Sequence, residues 1–196
     1  MPEPDFGDNG FEMHDSLRGQ LLLSAPNLFD PNFRRTVLLI AEHTDQGAMG
    51  VVLNRPAEVT VGEAVPDLLW LALAGEEPVY AGGPVATDSV VVLAEFEDPT
   101  LAAALVVGAV GFVPASPEDA EGLASGVLRS RVFAGHAGWG PGQLDAEMDE
   151  NSWIVEPALA GDVFTDDPEA LWAEVMRRKG RDYRLLASMP VDPSSN

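Results

Sequence analysis

"RTVLLIAEHTDQGAMGVVLNRP", residues 35 to 56, decides the fold. Two apolar runs, "RTVLLIAEH" and "AMGVVLNRP", flank the short link "TDQG", so the segment predicts an antiparallel hairpin. Neither run alternates cleanly between apolar and polar residues, which is the pattern of strands covered on both faces. Such a hairpin needs further sheet beside it and helices above it.

Both are legible nearby. "LRGQLLLSAP" predicts a strand ending near Pro26, and "EPVYAGG", "SVVVLAEF", "RVFAGHA" and "LVVGAVGFV" predict four more. "TVGEAVPDLLWLALAG" opens with Thr60 as a cap and Glu63 in capping-box position; the helix proper is expected from about Pro66, with Leu68, Leu69, Leu71 and Leu73 buried. A shorter helix is expected in "SPEDAEGLASG", with Ser116 as cap, Pro117 at its first position, and Gly122 or Gly126 ending it. The clearest helix is "DDPEALWAEVMRRKG": Asp167 caps, Pro168 opens, Gly180 stops, and Leu171, Trp172, Val175 and Met176 form its apolar stripe. Regular βαβ alternation is missing. The expected fold is therefore α+β, a single compact domain over residues 16–190 with a large twisted, mixed, largely antiparallel sheet surrounded by helices and loops. Residues 1–15 are acidic without apolar period and are expected to be a mobile arm, and residues 191–196 a frayed tail.

Composition narrows the function classes. No apolar run reaches the roughly 18 residues of a membrane span, "LAAALVVGAVGFV" being broken by Gly108 and Gly111. The acidic N-terminus has no basic n-region or apolar h-region, so a cytoplasmic location is expected. The absence of cysteine removes disulfides, thiolate nucleophiles and Cys-ligated metal centres together. With 32 acidic against 11 basic residues the formal charge is −21, which disfavours direct nucleic-acid binding. The basic cluster Arg177, Arg178 and Lys179 is explained by the dipole at a helix C-terminus.

"GHAGWGPGQLDAEM", residues 135–148, is the one stretch that invites a phosphate reading. Gly135 and Gly140 have the offset of a Walker A loop, but Pro141 and Gly142 stand where Lys and Ser or Thr are needed. GxGxxG fails as well, with Gln143 at the third position. Pro141 reads as the first helical residue, and the favoured interpretation is that Trp139 packs down while glycines let the chain turn beneath it. An anion held by the Gly138–Gly142 amides is the alternative. On the following helix Glu147, Glu150 and Asn151 share a face, too few oxygen ligands for a hard cation, so neither metal nor cofactor is expected. Glu42, His43 and Asp45 follow the first hairpin strand; a His beside carboxylates could serve as general base, joined by His136, but the favoured reading of His43 is a strand-end residue hydrogen-bonded to a turn. GxSxG and HExxH are both absent.

Taken together, "APNLFDPNFRRTVLLIAEHTDQGAMGVVLNRP", "AGGPVATDS" and "GHAGWGPGQLDAEMDENSWIV" resemble, in order and spacing, the three signature blocks of the YqgE/AlgH family of bacterial proteins. The resemblance spans about residues 17 to 190. It implies a single compact domain with a large sheet, and it brings no catalytic mechanism: members are widely described as uncharacterised, some as transcriptional regulators connected with alginate production. The family pattern falls on Pro26, Asp30, Phe33, Arg35, Glu42, His43, Gly47, Gly50, Asn54 and Pro56, then Gly82, Gly83, Pro84 and Asp88, then Gly135, Trp139, Gly142, Gln143, Leu144, Glu147 and Trp153. Ala41 stands where some relatives have Cys, and His136 where some have Tyr, so neither a thiol nor that phenol is essential here.

The leading expectation is a regulatory or adaptor protein that binds a protein or small-molecule partner and affects transcription indirectly if at all. Its candidate binding surface comprises Arg35, Glu42, His43, Asn54, Gly83, Pro84, Trp139, Gly142, Gln143 and Glu147. The alternative is a hydrolase or nucleotide-binding enzyme using His43 and Glu42 with the 135–142 glycine loop, which requires these segments to meet in one cleft. A third reading, DNA binding through Arg177 to Arg184, runs against the charge.

Overall fold

The computed structural model describes residues 16–25, 34–68, 71, 76–115 and 120–187. The expected arm at 1–15, the tail at 191–196, Pro26, Asp30, Phe33, Leu69, Leu73 and the Ser116–Pro117 cap lie outside them. The strands are β1 (Gln20–Ser24), β2 (Val37–Thr44), β3 (Gly47–Val52), β4 (Pro56–Thr60), β5 (Pro78–Ala81), β6 (Val85–Phe96), β7 (Ala104–Val107), β8 (Val110–Phe112), β9 (Val127–Trp139) and β10 (Trp153–Pro157). Among the described residues the helices are α1 (Val61–Ala64), α2 (Ala120–Ser125), α3 (Gln143–Asp149), α4 (Ala160–Val163), α5 (Leu171–Lys179) and α6 (Arg181–Ala187).

The strands form one open ten-stranded sheet in the order β10-β1-β2-β3-β9-β6-β8-β7, with β5 bridging β4 and β9. Every pairing is antiparallel except β5 with β9, which is parallel. The fold is thus α+β with a mixed, largely antiparallel sheet. The decisive hairpin is β2–β3: Thr44 pairs with Gly47 across a two-residue turn, and Val37 to Ala41 are at most 1% exposed, covered on both faces.

Each face has its own cover. On one, Leu21, Leu23, Val37, Leu39, Val51, Leu93 and Phe133 pack against Val163 of α4 and the α5 stripe of Leu171, Trp172, Val175 and Met176. The opposite face carries two patches: Val92, Ala94 and Val132 beneath Val61 and Leu123, and Leu22, Leu38, Ile40, Ala48, Val52 and Ala137 beneath Leu144 of α3. Two buried apolar faces on one sheet explain why its central strands could not alternate.

Three expectations need correction. "LVVGAVGFV" is not one strand but the tight hairpin β7–β8, because Gly108 at φ 55° turns the chain between Val107 and Val110. The Thr60 capping box forms as expected, with Thr60 Oγ1 accepting from Glu63 N–H and Glu63 Oε2 from Thr60 N–H, but α1 ends at Ala64 before Pro66, and the described residues from Pro66 to Leu68 form a 3-10 turn instead of opening an α-helix. α5 begins at Leu171, one turn later than Pro168, although Asp167 Oδ1 still accepts the Ala170 N–H at 3.0 Å and so caps the turn leading into it.

Candidate functional site

The glycine stretch is not a loop at its start. Gly135 to Trp139 continue β9, the strand shared by β3, β5 and β6. Before Gly135, Phe133 faces the α5 side and Val132 the opposite side; after it, Ala137 and Trp139 lie on the α3 side, one step out of alternation. Gly135 causes the switch. At φ 67° it adopts the left-handed conformation of a bulge, and a Cβ there would stand 2.6 Å from Gly83 O. Opposite it the β6 register skips between Val85 and Val90. The glycine therefore rotates Trp139 onto the face that α3 covers.

After Trp139 the chain turns through Gly140–Pro141–Gly142 into α3, whose cap is Gly142 at φ 69°. Pro141 precedes the helix instead of opening it. The Gly140 N–H donates to Gln143 Oε1 at 3.1 Å and the Gln143 N–H to Gly140 O at 3.1 Å, so these two amides are engaged within the turn. Leu144, 1% exposed, anchors α3 to the sheet.

One helical turn beyond Gln143, Glu147 becomes the centre of the site. Its Oε2 accepts the indole N–H of Trp139 at 3.0 Å and that of Trp153 at 2.9 Å, while Oε1 accepts Gln143 Nε2 at 3.2 Å. A cleft of about 270 Å³ opens beside this cluster, lined by Pro84, Ala137, Gly138, Trp139, Gln143, Glu147, Ser152 and Trp153. Asn151, at φ 57°, ends the turn after α3 and returns the chain into β10, which delivers Trp153.

Of the ten candidate residues, Pro84, Trp139, Gln143 and Glu147 meet here. Gly142 sets the entry to α3. Gly83 packs behind the cleft so closely that a Cβ would lie 2.2 Å from the His136 carbonyl carbon. His43 is a neighbour, pairing with Ala48, which pairs with Trp139, but it does not line the cleft. Only 8% of its side chain is exposed; Nδ1 accepts the Leu17 N–H at 3.1 Å and Nε2 stands 3.7 Å from Asp145 Oδ1. Glu42 projects to the other face and borders a shallow hollow of about 200 Å³ with Thr44, Gln46, Met49 and Trp139. The Glu-His side chains thus divide across the sheet, and neither of the two hollows described takes in both.

Arg35 and Asn54 lie at the far end of the hairpin, six residues along β3 from Ala48, on the order of 20 Å away. Asn54, 5% exposed, accepts from Val37 N–H at 3.0 Å and donates to Arg35 O at 2.7 Å. The Arg35 guanidinium lies 5.1 Å from the centroid of the Trp172 ring, and burial, followed by the neighbouring Arg34, lowers it from its ordinary pKa. Both residues support packing. Sequence reasoning left Ser152 and Trp153 out of the candidate surface. The signal for Trp153 was its place in the same block as Trp139 and Glu147; what a linear reading lacks is the Asn151 turn that folds it back. Among the described residues no three His, Asp or Glu side chains converge as a metal site would require.

The sequence matches the family described as AlgH-like over residues 21–184. It is 45% identical to a UPF0301 protein of Streptomyces coelicolor over 96% of this chain and 100% of the relative, and 43% identical to one from Mycobacteroides abscessus over 93% and 89%. Its fold is similar to the crystal structure of a Corynebacterium diphtheriae protein, with a TM-score of 0.77, 31% identity and coverage of 87% of this chain and 91% of that one. It is also similar to the solution structure of the AlgH protein from Pseudomonas aeruginosa, with a TM-score of 0.68, 30% identity and coverage of 97% and 98%. On this match and these relatives, the chain belongs to the AlgH-like family.

Proposed function

We infer that the chain is a cytoplasmic regulatory or adaptor protein that works by holding a protein segment or small ligand in the cleft between Trp139 and Trp153, and that any effect on transcription is indirect. The observation that carries this reading is the single carboxylate of Glu147 tying two indoles together beside an open cleft. Aromatic walls with a few placed polar groups are the usual make-up of recognition sites, and here a strand, a helix and a second strand hold them rigidly.

Direct DNA contact is a poorer account of the chemistry. Arg178 donates through both terminal nitrogens to Asp162, each at 2.9 Å, and also to Pro157 O; Lys179 donates to Val155 O at 2.6 Å and pairs with Glu156 at 3.4 Å. These cations seal the outer strand β10 against α5. No helix among the described residues is long and apolar enough to cross a membrane.

The test is a thermal-shift screen of the purified protein against nucleotides, phosphate compounds, amino acids, short peptides and divalent metals. A saturable rise in Tm that disappears in Trp139→Ala is expected. Hits that persist undiminished in both Trp139→Ala and Glu147→Ala would place the binding surface elsewhere.

A further inference from the structure

Resting on the reading of this cleft as a binding site, the chemistry of its occupant can be narrowed. Among the described residues no Lys, Arg or His lies within ion-pair distance of the Glu147 carboxylate. Its three partners are neutral N–H donors, which leaves one of roughly four carboxylate lone-pair positions open. None of the eight lining residues is basic, and the molecule as a whole carries −21. An anion or a nucleotide meets repulsion here. A divalent cation lacks the six to eight oxygens it takes. A monovalent organic cation meets a carboxylate and two indoles, the groups that attract it by charge and by the ring quadrupole.

Size favours a side chain over a cofactor. The cleft's volume of about 270 Å³ falls below the roughly 300–1,000 Å³ of sites for drug-sized ligands. At its rim stand exposed Pro84 and Val85, the latter 42% exposed with Cγ2 3.6 Å from where a Gly138 Cβ would sit. These offer apolar contact to residues flanking an inserted cation. Between the two cationic side chains, the planar and weakly hydrated guanidinium stacks on aromatic rings better than an ammonium does. We propose that the cleft receives an arginine side chain from a basic segment of a partner protein, its guanidinium paired with Glu147 and set against Trp139 and Trp153.

The test follows indole N–H resonances of the full chain during titration with acetyl-Gly-Arg-Gly-amide, its citrulline counterpart and arginine amide. Trp172, whose N–H donates to the buried Ser24 carbonyl, is the internal control. Expected are saturable shifts of Trp139 and Trp153 but not Trp172, at least tenfold weaker binding of the citrulline peptide, and at least tenfold weaker binding of the arginine peptide to Glu147→Gln. Glu150→Gln, an exposed acid outside the cleft, should bind as the parent does. Equal affinity for arginine and citrulline peptides would overturn the charge argument while leaving the cleft as a binding site. Equal weakening by Glu150→Gln would reduce the effect to general attraction by an acidic protein and overturn it too. Arginine amide binding as tightly as the peptide would overturn the protein-segment assignment. No shift of Trp139 or Trp153 with any of the three probes would overturn the proposal; persistence of thermal-shift hits that need Trp139 would then keep the broader reading.

Discussion

The two faces of the sheet, one under α5 and one under α3, each carry tryptophan and carboxylates, and they treat them in opposite ways. On the α5 face, Trp172 is 2% exposed and donates to the Ser24 carbonyl, while Asp162 and Glu156 are matched by Arg178 and Lys179 further along α5. Each charge there has a countercharge. On the α3 face, Trp139 and Trp153 donate to Glu147, the carboxylate faces no cation among the described residues, and a cleft stands open. A corner that completes its own electrostatics is built for stability; one that leaves a carboxylate among aromatic walls is incomplete without something else. Buried ionisable groups need partners in the fold, and the half-exposed Glu147 keeps water for part of its shell.

This contrast can be broken by mutation, most severely at the closed corner. Trp172→Ala should cost about 3–5 kcal/mol, the range for removing a large buried aromatic, out of a total stability of roughly 5–15 kcal/mol. Urea denaturation would show the lowered midpoint. The Trp139 resonance, on β9, should stay in place; if it moves as much as that of Trp153, which pairs with Ser24, the acceptor of Trp172, the two sides are one coupled unit and the comparison fails. Asp162→Asn should cost about 1–3 kcal/mol, because the new amide turns a donor towards Arg178 or the Leu159 N–H. That loss should hardly change with added salt, since 90% of the Asp162 side chain is covered. A strongly salt-dependent loss would show the pair to be a surface bridge.

Gly142→Ala sharpens the contrast from the open side. Nothing lies within 4 Å of an added Cβ, so the expected cost is only that of a left-handed non-glycine residue at φ 69°, about 1–2 kcal/mol. Because that strain sits at the entry to α3, the variant should weaken ligand-induced shifts of Trp139 more than it lowers the urea midpoint. A fall in stability with unchanged binding would separate the turn from the site.

The fold was legible where local chemistry and tertiary context agreed. The hairpin turn, the Thr60 box and the α5 stripe all follow from neighbours a few residues apart. Gly135 shows where linear reading stops: its sequence context, rich in glycine before a helix, resembles a ligand loop, whereas its role is to shift the alternation of one strand against another. That role depends on Gly83 and Val85, fifty residues away in sequence, so no local pattern reveals it. The same limit explains why Trp139, Gln143 and Glu147, which share a turn and a helix, read as one site, and why Arg35 and Asn54 were grouped with them. Those two belong to the same family pattern but serve the opposite end of the hairpin.

Glu147→Gln is the smallest expected change in stability and the most informative. The carboxylate accepts three hydrogen bonds, and a glutamine would keep one acceptor while presenting an NH₂ to an indole N–H or to Gln143. That loss is set against two compensations. The group is only partly buried, so water can re-solvate it, and removing one negative charge from a molecule at −21 relieves repulsion. The net cost should therefore stay within about 1 kcal/mol, well under that of Asp162→Asn, measured side by side in urea. If Glu147→Gln instead destabilises as much as Asp162→Asn, the two carboxylates do the same structural work and the open corner is a clamp for Trp139 and Trp153. If it is near neutral, the unpaired charge is kept at that position for a reason other than folding, as functional residues commonly are.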